Sequence, residues 1–131
     1  MLDKALITRA DDFGSSHSAN QAIYEVSKKG IVKNVYVMAC APYLEEAAEM
    51  LASSKDVTFG MHSVINAEWD RVVWGPVAPK EKVKSLIDHR GVFYQDVLEL
   101  AAAKPDLDEI IPEYKYQLER LRKVGFPIAY I

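Results

Sequence analysis

Short apolar runs alternate with segments of helical periodicity, and this alternation constrains the fold more than any other feature of the sequence. Residues 4–9 are predicted to form a short buried strand, and further strand-like runs cover residues 35–39, 57–61 and 127–131. Near-continuous apolar strands that are separated by helices are typical of a parallel sheet covered by helices. The pattern therefore predicts an α/β fold.

Three helices are predicted before residue 104. The first begins at Ser16 or Ser18, either of which can cap a helix, and Gly30 ends it. The second is predicted to open at Pro42, whose missing N–H costs nothing in the first turn of a helix. Residues 92–103 are predicted to form the third helix.

A fourth helix is predicted to begin near Asp106 and to end at Gly125. Pro112 fits its first turn or kinks it, and the Lys and Glu side chains along it are interpreted as a solvent-exposed face. The element order is then β-α-β-α-β-loop-α-α-β. The last strand has no helix to cover it, so residues 1–131 are interpreted as the N-terminal part of a single domain.

Composition and charge exclude several classes of protein. Half of the residues are apolar and 27% are charged, which is typical of a globular domain, and the net charge of −3 with scattered basic residues argues against a nucleic-acid partner. No apolar run approaches the ~20 residues that span a membrane. The start does not resemble a secretory signal, and the single Cys40 is interpreted as an inert buried thiol. Together these features favour the cytoplasm.

Polar side chains follow two of the predicted strands at the point where each strand ends. Asp11 and Asp12 come after the first strand, and His62 comes after the third. Ligands of parallel α/β folds bind at the carboxyl ends of the strands, so these three residues are predicted to form a reaction centre. One carboxylate can bind a divalent metal with His62, while the other acts on the attacking water as a general base. The pattern predicts a metal-dependent hydrolase.

Each of these residues also has a purely structural interpretation. The pair Asp11 and Asp12 is compatible with an ordinary turn before Gly14, and a single histidine is more often packed or exposed than a ligand. The other two histidines lack a comparable placement. His17 is interpreted as a residue of a helix start, and His89 as a residue of a turn.

Residues 63–90 show no clear periodicity, and a connection of this length is usually a lid or a binding loop. It contains Trp69 and Trp74, which either pin the loop to the body of the protein or stack against a sugar ring. The polar stretch from Asn66 to Glu68 lies near His62 and either lines the pocket or caps the loop. We expect an irregular flap over the site with at least one of the two indoles facing the cleft.

Motifs along essentially the whole chain are similar to those of one known family. They are ADDFG at residues 10–14, ANQAI at 19–23, GIV at 30–32, GMH at 60–62, EW at 68–69, WGP at 74–76, and SLID with GVFY between 85 and 94. With these motifs in order, the chain resembles the YdjC-like (ChbG/HpnK) carbohydrate deacetylases.

The resemblance implies a distorted TIM-like β/α barrel, of which this chain is the N-terminal half. It implies a hydrolase that removes N-acetyl groups from amino sugars or chito-oligosaccharides with a divalent metal ion, Mg²⁺ or Zn²⁺. Carried over by position, Asp12 and His62 are metal ligands and Asp11 is the base. Asn66, Trp69 and Trp74 are the candidate substrate contacts in the loop.

The sequence departs from the family pattern in two places. The family usually has GLHLxLT where this chain has GMHSVIN at residues 60–66, so the position of the threonine holds no Thr. The family's third metal ligand, a histidine, would follow Ile131. Two other functions therefore stay open, namely a non-catalytic carbohydrate-binding remnant and a metal-dependent phosphoesterase.

We expect the 131 residues alone to be inactive, because catalytic cations are commonly held by three protein ligands and the chain offers two. We also expect a homo-oligomer, most simply a dimer. Half of a barrel exposes two sheet edges and a flank of apolar side chains, which a second copy would cover.

Overall fold

The computed structural model describes residues 4–131 and shows one parallel sheet with strand order β1-β2-β3-β4 in that range. The elements are β1 (Arg9–Phe13), α1 (His17–Lys28), β2 (Asn34–Met38), α2 (Leu44–Leu51), β3 (Thr58–His62), α3 (Val97–Ala102), α4 (Leu107–Lys123) and β4 (Ile128–Tyr130). The predicted α/β class is confirmed. Residues 1–3, on which the prediction about a secretory signal partly depends, lie outside the described residues.

Side chains that alternate along the strands divide the sheet into two faces. Val35 and Val37 of β2, with Phe59 and Met61 of β3, are at most 1% exposed and form a core with the helices. Burying each of these side chains stabilises the fold by roughly 1.5–3 kcal/mol. The residues between them point to the opposite face, which carries Tyr36 and His62.

Capping side chains precede α1, α3 and α4, whereas α2 begins at Leu44 without one, so Pro42 lies before this helix and does not open it as predicted. Of the two serines considered for α1, Ser16 is the cap, and its Oγ accepts a hydrogen bond of 3.1 Å from the Ala19 N–H. Asp106 caps α4 as predicted, since its carboxylate accepts from the Asp108 N–H at 2.9 Å. Pro112 lies inside α4, beyond the first turn. None of the helices within residues 4–131 combines the length and apolar character that a membrane-spanning segment needs.

The first strand begins later than predicted. Residues 4–8 are not a strand, and Leu6 and Ile7 are 87% and 81% exposed. The reason is the register, because Arg9 pairs with Asn34, the first residue of β2. The residues before Asn34 form the turn after α1, so residues 4–8 have no strand beside them in the described part of the chain.

The third helix is shorter than the predicted range of residues 92–103. It covers Val97–Ala102, and the side chain of Asp96 caps it by accepting from the Leu98 N–H at 2.6 Å. The apolar residues before it are extended instead. Phe93 is fully buried and its N–H donates to the carbonyl of Trp74 at 3.2 Å, which ties this segment to the preceding loop.

The prediction of a solvent-exposed face for the Lys and Glu residues of α4 is wrong for one of them. Glu113 and the nearby Gln117 are both 0% exposed. Their polar groups can be buried because they hydrogen-bond to backbone groups of the loop that precedes the helix. The buried stripe of α4 is therefore Glu113, Gln117 and Leu121.

Gly60 makes room for an aromatic ring on the face that carries His62. It pairs with Tyr130 of β4, and the phenol ring lies across the backbone of Gly60. A Cβ at this position would overlap the ring. The glycine two residues before His62 is therefore required by the packing of β4 on β3.

We predict that Gly60→Ala destabilises the protein by about 1–3 kcal/mol, because it forces Tyr130 out of its place. Denaturant unfolding of Gly60→Ala, Tyr130→Ala and the double variant measures this. Gly75→Ala is the matched control, since its Cβ would meet neighbours only at ordinary contact distance. If the Gly60 substitution destabilises both backgrounds equally, Tyr130 is not the reason for the glycine.

Candidate active site

A β-bulge at the end of β1 sets the directions of the two aspartates. Ala10 pairs with Val35 and Phe13 with Val37, so Asp11 and Asp12 lie in an interruption of the ladder. Asp12 has φ +64°, in the left-handed region that aspartate enters more readily than most residues. Bulges commonly redirect side chains next to active sites. The prediction placed the two aspartates in a loop after the first strand. The structure instead places them within the end of β1.

The turn after the bulge is held by a buried side chain of α1. The Gly14 N–H donates to Asn20 Oδ1 at 2.8 Å, and Asn20 Nδ2 donates to the carbonyl of Tyr43 at 3.1 Å. Asn20 is 0% exposed, and Gly14 has φ +103°, which favours glycine. The asparagine of the ANQAI motif thus holds the ADDFG turn against the start of α2.

His62 ends β3 and lies beside Asp12. The distance from His62 Nδ1 to Asp12 Oδ1 is 3.1 Å, and both side chains are 35% exposed. Nδ1 itself is buried and has no hydrogen-bond partner with good geometry among the described residues. The structure therefore brings together the two residues that were predicted as metal ligands, with their electron-donating atoms facing each other.

The surroundings of Asp12 favour a positive partner. Burial raises the pKa of its carboxyl, the charges of Asp11 and Glu68 raise this pKa further, and His62 opposes the rise. A carboxylate in this position gains more than an exposed one from a nearby cation, because less water stabilises its charge. The charges around Asp12 therefore suit the binding of a cation.

A narrow cleft of about 40 Å³ opens between the strand ends and the loop that follows β3. Its lining is Asp12, Met38, His62, Ser63, Val64, Asn66, Glu68 and Trp74. A space of this size holds a cation or a few water molecules, and a sugar would have to lie at its mouth. Four of the predicted site residues share the cleft.

Ser63, Asn66 and Glu68 are the polar residues that the loop adds to the cleft. Asn66 Nδ2 is buried without a hydrogen-bond partner among the described residues, so it is free to donate to a ligand. Glu68 belongs to the polar stretch 66–68 that was predicted either to line the pocket or to cap the loop, although only Asn66 of this stretch was named as a substrate contact. Its signal in the sequence was its position six residues after His62 in a polar stretch, which is weak without the geometry of the loop.

Asp11 is placed apart from the cleft lining and pairs with Arg9. Nε and an Nη of Arg9 contact Asp11 Oδ2 at 3.1 and 3.0 Å, and the guanidinium lies over the ring of Tyr36 at 4.9 Å from its centre. Both contacts use the same carboxylate oxygen. The second oxygen, Oδ1, is therefore left for other partners.

The two tryptophans pack against each other, but only Trp74 lines the cleft. Trp74 lines the cleft but is only 4% exposed, and its Nε1 donates to the carbonyl of Asn66 at 2.8 Å. Trp69 packs edge-to-face on Trp74, with ring centres 5.4 Å apart, and does not line the cleft. The indoles pin the loop, and Trp74 also faces the cleft. Little of its ring surface is free to stack against a sugar.

The remaining candidates lie outside the cleft. His17 begins α1 and contacts Glu46 Oε1 through Nδ1 at 2.7 Å, and His89 lies in a turn. Burial raises the pKa of the Cys40 thiol to about 12, so the thiol is not a nucleophile near neutral pH. This agrees with the prediction of an inert cysteine.

The residues present fit part of a divalent metal site. Imidazole nitrogen and carboxylate oxygen are ligands for Zn²⁺, and carboxylate oxygen also suits Mg²⁺. Two ligands at about 2.1 Å from one ion lie roughly 3 Å apart, which is close to the observed separation of Nδ1 and Oδ1. No group of three His, Cys, Asp or Glu side chains within residues 4–131 could hold an ion. The fit is therefore to two ligands.

Comparisons with curated proteins agree with the motifs. A carbohydrate deacetylase of Thermoanaerobacter pseudethanolicus is 30% identical over 98% of this chain and 49% of its own length. One of Enterococcus faecalis is 32% identical over 95% of the chain and 46% of its own length, and a chitooligosaccharide deacetylase of Yersinia pestis is 31% identical over 99% and 49%. The chain thus spans about half the length of these relatives.

A solved structure and a family model extend the comparison. The crystal structure of a protein from Enterococcus faecalis V583, described as a cellobiose-phosphate cleavage protein, superposes with a TM-score of 0.79 at 29% identity. The match covers 95% of this chain and 47% of that one. The model of the YdjC-like protein family matches residues 5–131. By fold and by sequence, the chain belongs to the YdjC-like protein family.

Proposed function

We propose that this chain carries part of the active site of a hydrolase that removes N-acetyl groups from amino sugars or chito-oligosaccharides. The observation that carries the proposal is the pairing of Asp12 and His62 at 3.1 Å, with a buried imidazole nitrogen that lacks a hydrogen-bond partner in the described part of the chain. The names of the relatives, carbohydrate deacetylase and chitooligosaccharide deacetylase, support the substrate class. They give no support to a phosphoesterase or to a non-catalytic remnant.

Asp12 and His62 would hold the divalent ion, Mg²⁺ or Zn²⁺, through Oδ1 and Nδ1. When bound, such an ion supplies Lewis acidity to the acetamide carbonyl and to the attacking water. The left-handed backbone at Asp12 fixes the direction of its carboxylate. Tyr36 packs edge-to-face against the imidazole at 6.4 Å and limits the rotation of the ring.

Asp11 is the proposed general base. Arg9 occupies Oδ2, so Oδ1 accepts the proton from the water as that water attacks the carbonyl carbon. Asp11 then passes this proton to the amide nitrogen, the C–N bond breaks, and acetate and the amino sugar leave. Asn66 Nδ2, which is buried without a hydrogen-bond partner among the described residues, would donate to an oxygen of the substrate, and Trp69 and Trp74 support the loop from which it projects. The cytoplasm remains the predicted compartment.

The test uses a chimera, because the chain spans about half of its relatives. This chain is joined to the part of the Enterococcus faecalis deacetylase that it does not match, and acetate release from an N-acetylated chito-oligosaccharide is measured. We expect release that a chelator abolishes and a divalent ion restores. A folded chimera that releases phosphate from sugar phosphates but no acetate would contradict the proposed function.

Substitution of the two aspartates in the chimera should separate their roles. Asp11→Asn should lower kcat by about 10²–10⁴-fold with metal content nearly intact, because it removes the base and leaves the ligands. Asp12→Asn should lose both activity and metal. Glu46→Gln is the control for a lost carboxylate elsewhere on the surface. Equal loss of metal in the Asp11 and Asp12 variants would show that the division of roles is wrong.

We also propose that the isolated chain associates with itself. Leu6 and Ile7 come just before β1, an edge strand of the sheet, and are 87% and 81% exposed. Such apolar surface at a sheet edge favours association. Light scattering should give twice the mass of one chain, and Leu6→Asp with Ile7→Asp should return it to a monomer. Leu98→Asp is the control for adding a charge at an exposed leucine away from β1, because Leu98 is 78% exposed and lies on α3. A stable monomer of the unmodified chain would contradict this proposal.

A further inference from the structure

Three polar side chains on one face of α4 bond to the backbone of residues 63–90. They are Glu109, Glu113 and Gln117, spaced four residues apart, so they lie one above another on the helix. We call these three residues the α4 clamp. Leu121 continues the same face into the apolar core.

Gln117 holds the backbone directly after the end of β3. Its Nε2 donates to the carbonyl of Val64 at 2.6 Å, and its Oε1 accepts from the N–H of the same residue at 3.2 Å. A strand neighbour would pair with both groups of one residue in a comparable way. Because Val64 is two residues after His62, this bond pair fixes the chain where it leaves the sheet and enters the cleft wall.

Glu113 holds the far end of the cleft wall. Its two carboxylate oxygens accept from the N–H groups of Val77 and Ala78, each at 2.9 Å, and Gln117 Nε2 donates to it at 2.8 Å. In the described range, no cation lies within salt-bridge distance of it. N–H donors therefore stabilise this fully buried charge.

Glu109 adds a third attachment further along the loop. Its Oε2 accepts from the N–H and the Oγ of Ser85 at 2.8 and 2.6 Å. The Ser85 Oγ in turn accepts from the N–H of Asp106, the cap of α4. The clamp thus ties the loop to the helix at residues 64, 77–78 and 85, in reverse order along α4.

The side chains that the loop presents to the cleft lie between the first two attachments. Asn66, Glu68 and Trp74 all come from residues 64–77 and line the cleft with Asp12 and His62. We infer that Glu113 and Gln117 are positioning residues of the active site, which fix this segment as a rigid wall and so set the places of Asn66, Glu68 and Trp74. The hydrogen bonds of the α4 clamp are observed in the structure, whereas its effect on substrate binding rests on the proposed function.

Packing alone would not select these side chains. An apolar side chain would fill the same space without burying a charge, but it would leave the N–H groups of Val77 and Ala78 unpaired. Within residues 4–131, no strand pairs with the loop between residues 63 and 79. The clamp supplies partners for the backbone of Val64, Val77 and Ala78, so an irregular segment can keep one conformation.

Amide hydrogen exchange in the 131-residue chain tests the clamp directly. Glu113→Gln keeps the shape but turns one acceptor into a donor, so exchange at Val77 and Ala78 should rise about tenfold or more. Gln117→Met should do the same at Val64. The indole N–H signal of Trp74, which reports the bond to Asn66, should shift in both variants. Exchange at Val35 and Val37, in the centre of the sheet, should change far less.

Glu119→Gln is the matched control, because Glu119 is an exposed residue of the same helix and undergoes the same chemical change. It should leave exchange and the Trp74 signal as they are. If the clamp variants raise exchange equally in loop and sheet, or leave the loop and Trp74 unchanged, the inference is wrong. Where Glu113→Gln does not fold, Gln117→Met decides, since it introduces no mismatched donor.

The chimera adds a functional measurement that separates this inference from the proposed function. Both clamp variants should raise KM for the N-acetylated oligosaccharide about tenfold and change kcat less, because the wall contacts substrate and the Asp12–His62 pair stays in place. A fall in kcat alone would contradict a positioning role for the wall. If the unmodified chimera releases no acetate, the proposed function is wrong, and the α4 clamp is then tested by hydrogen exchange alone.

Discussion

All strands of a parallel sheet end at the same edge, and in this protein that geometry brings the chemistry together. The register of β2 with β3 pairs Met38 with His62, and the bulge in β1 carries Asp12 to within 3.1 Å of the imidazole. Without the bulge, regular alternation would direct neighbouring aspartates to opposite faces. The separate roles proposed for Asp11 and Asp12 depend on this local irregularity, and Asn20 and Gly14 hold the turn that follows it.

The wall of the cleft depends on a second physical requirement, which is that buried backbone groups must be hydrogen-bonded. In the described part of the chain, no strand pairs with residues 63–79, and side chains of α4 supply hydrogen bonds to the backbone of Val64, Val77 and Ala78. The result differs from a mobile flap, because Trp74 and Phe93 also tie the loop to itself and to the segment before α3. A fixed wall presents Asn66 to the cleft in one orientation, which is what a residue that recognises a substrate requires.

The sequence predicted the parts of this arrangement that follow from periodicity and from the rule that parallel strands end together. These include the parallel sheet, a serine cap for α1 at Ser16 or Ser18, and the closeness of Asp12 to His62. It could not predict the late start of β1, because that depends on where the turn before Asn34 ends. Nor did it predict the clamp, since a buried glutamate has the same local pattern as an exposed one. Only the placement of the loop against α4 distinguishes the two, although polar residues at a spacing of four on one face were a signal.

We propose that Asp12 and His62 together bind a divalent cation. The sharpest test is to add Mn²⁺ to the isotope-labelled chain and to follow the imidazole signals of its three histidines by NMR. We expect the His62 signals to broaden at the lowest Mn²⁺ concentration, ahead of those of His17 and His89, and Asp12→Asn to remove this preference. Broadening that begins at His17 or His89, or that is unchanged at His62 in Asp12→Asn, would contradict it.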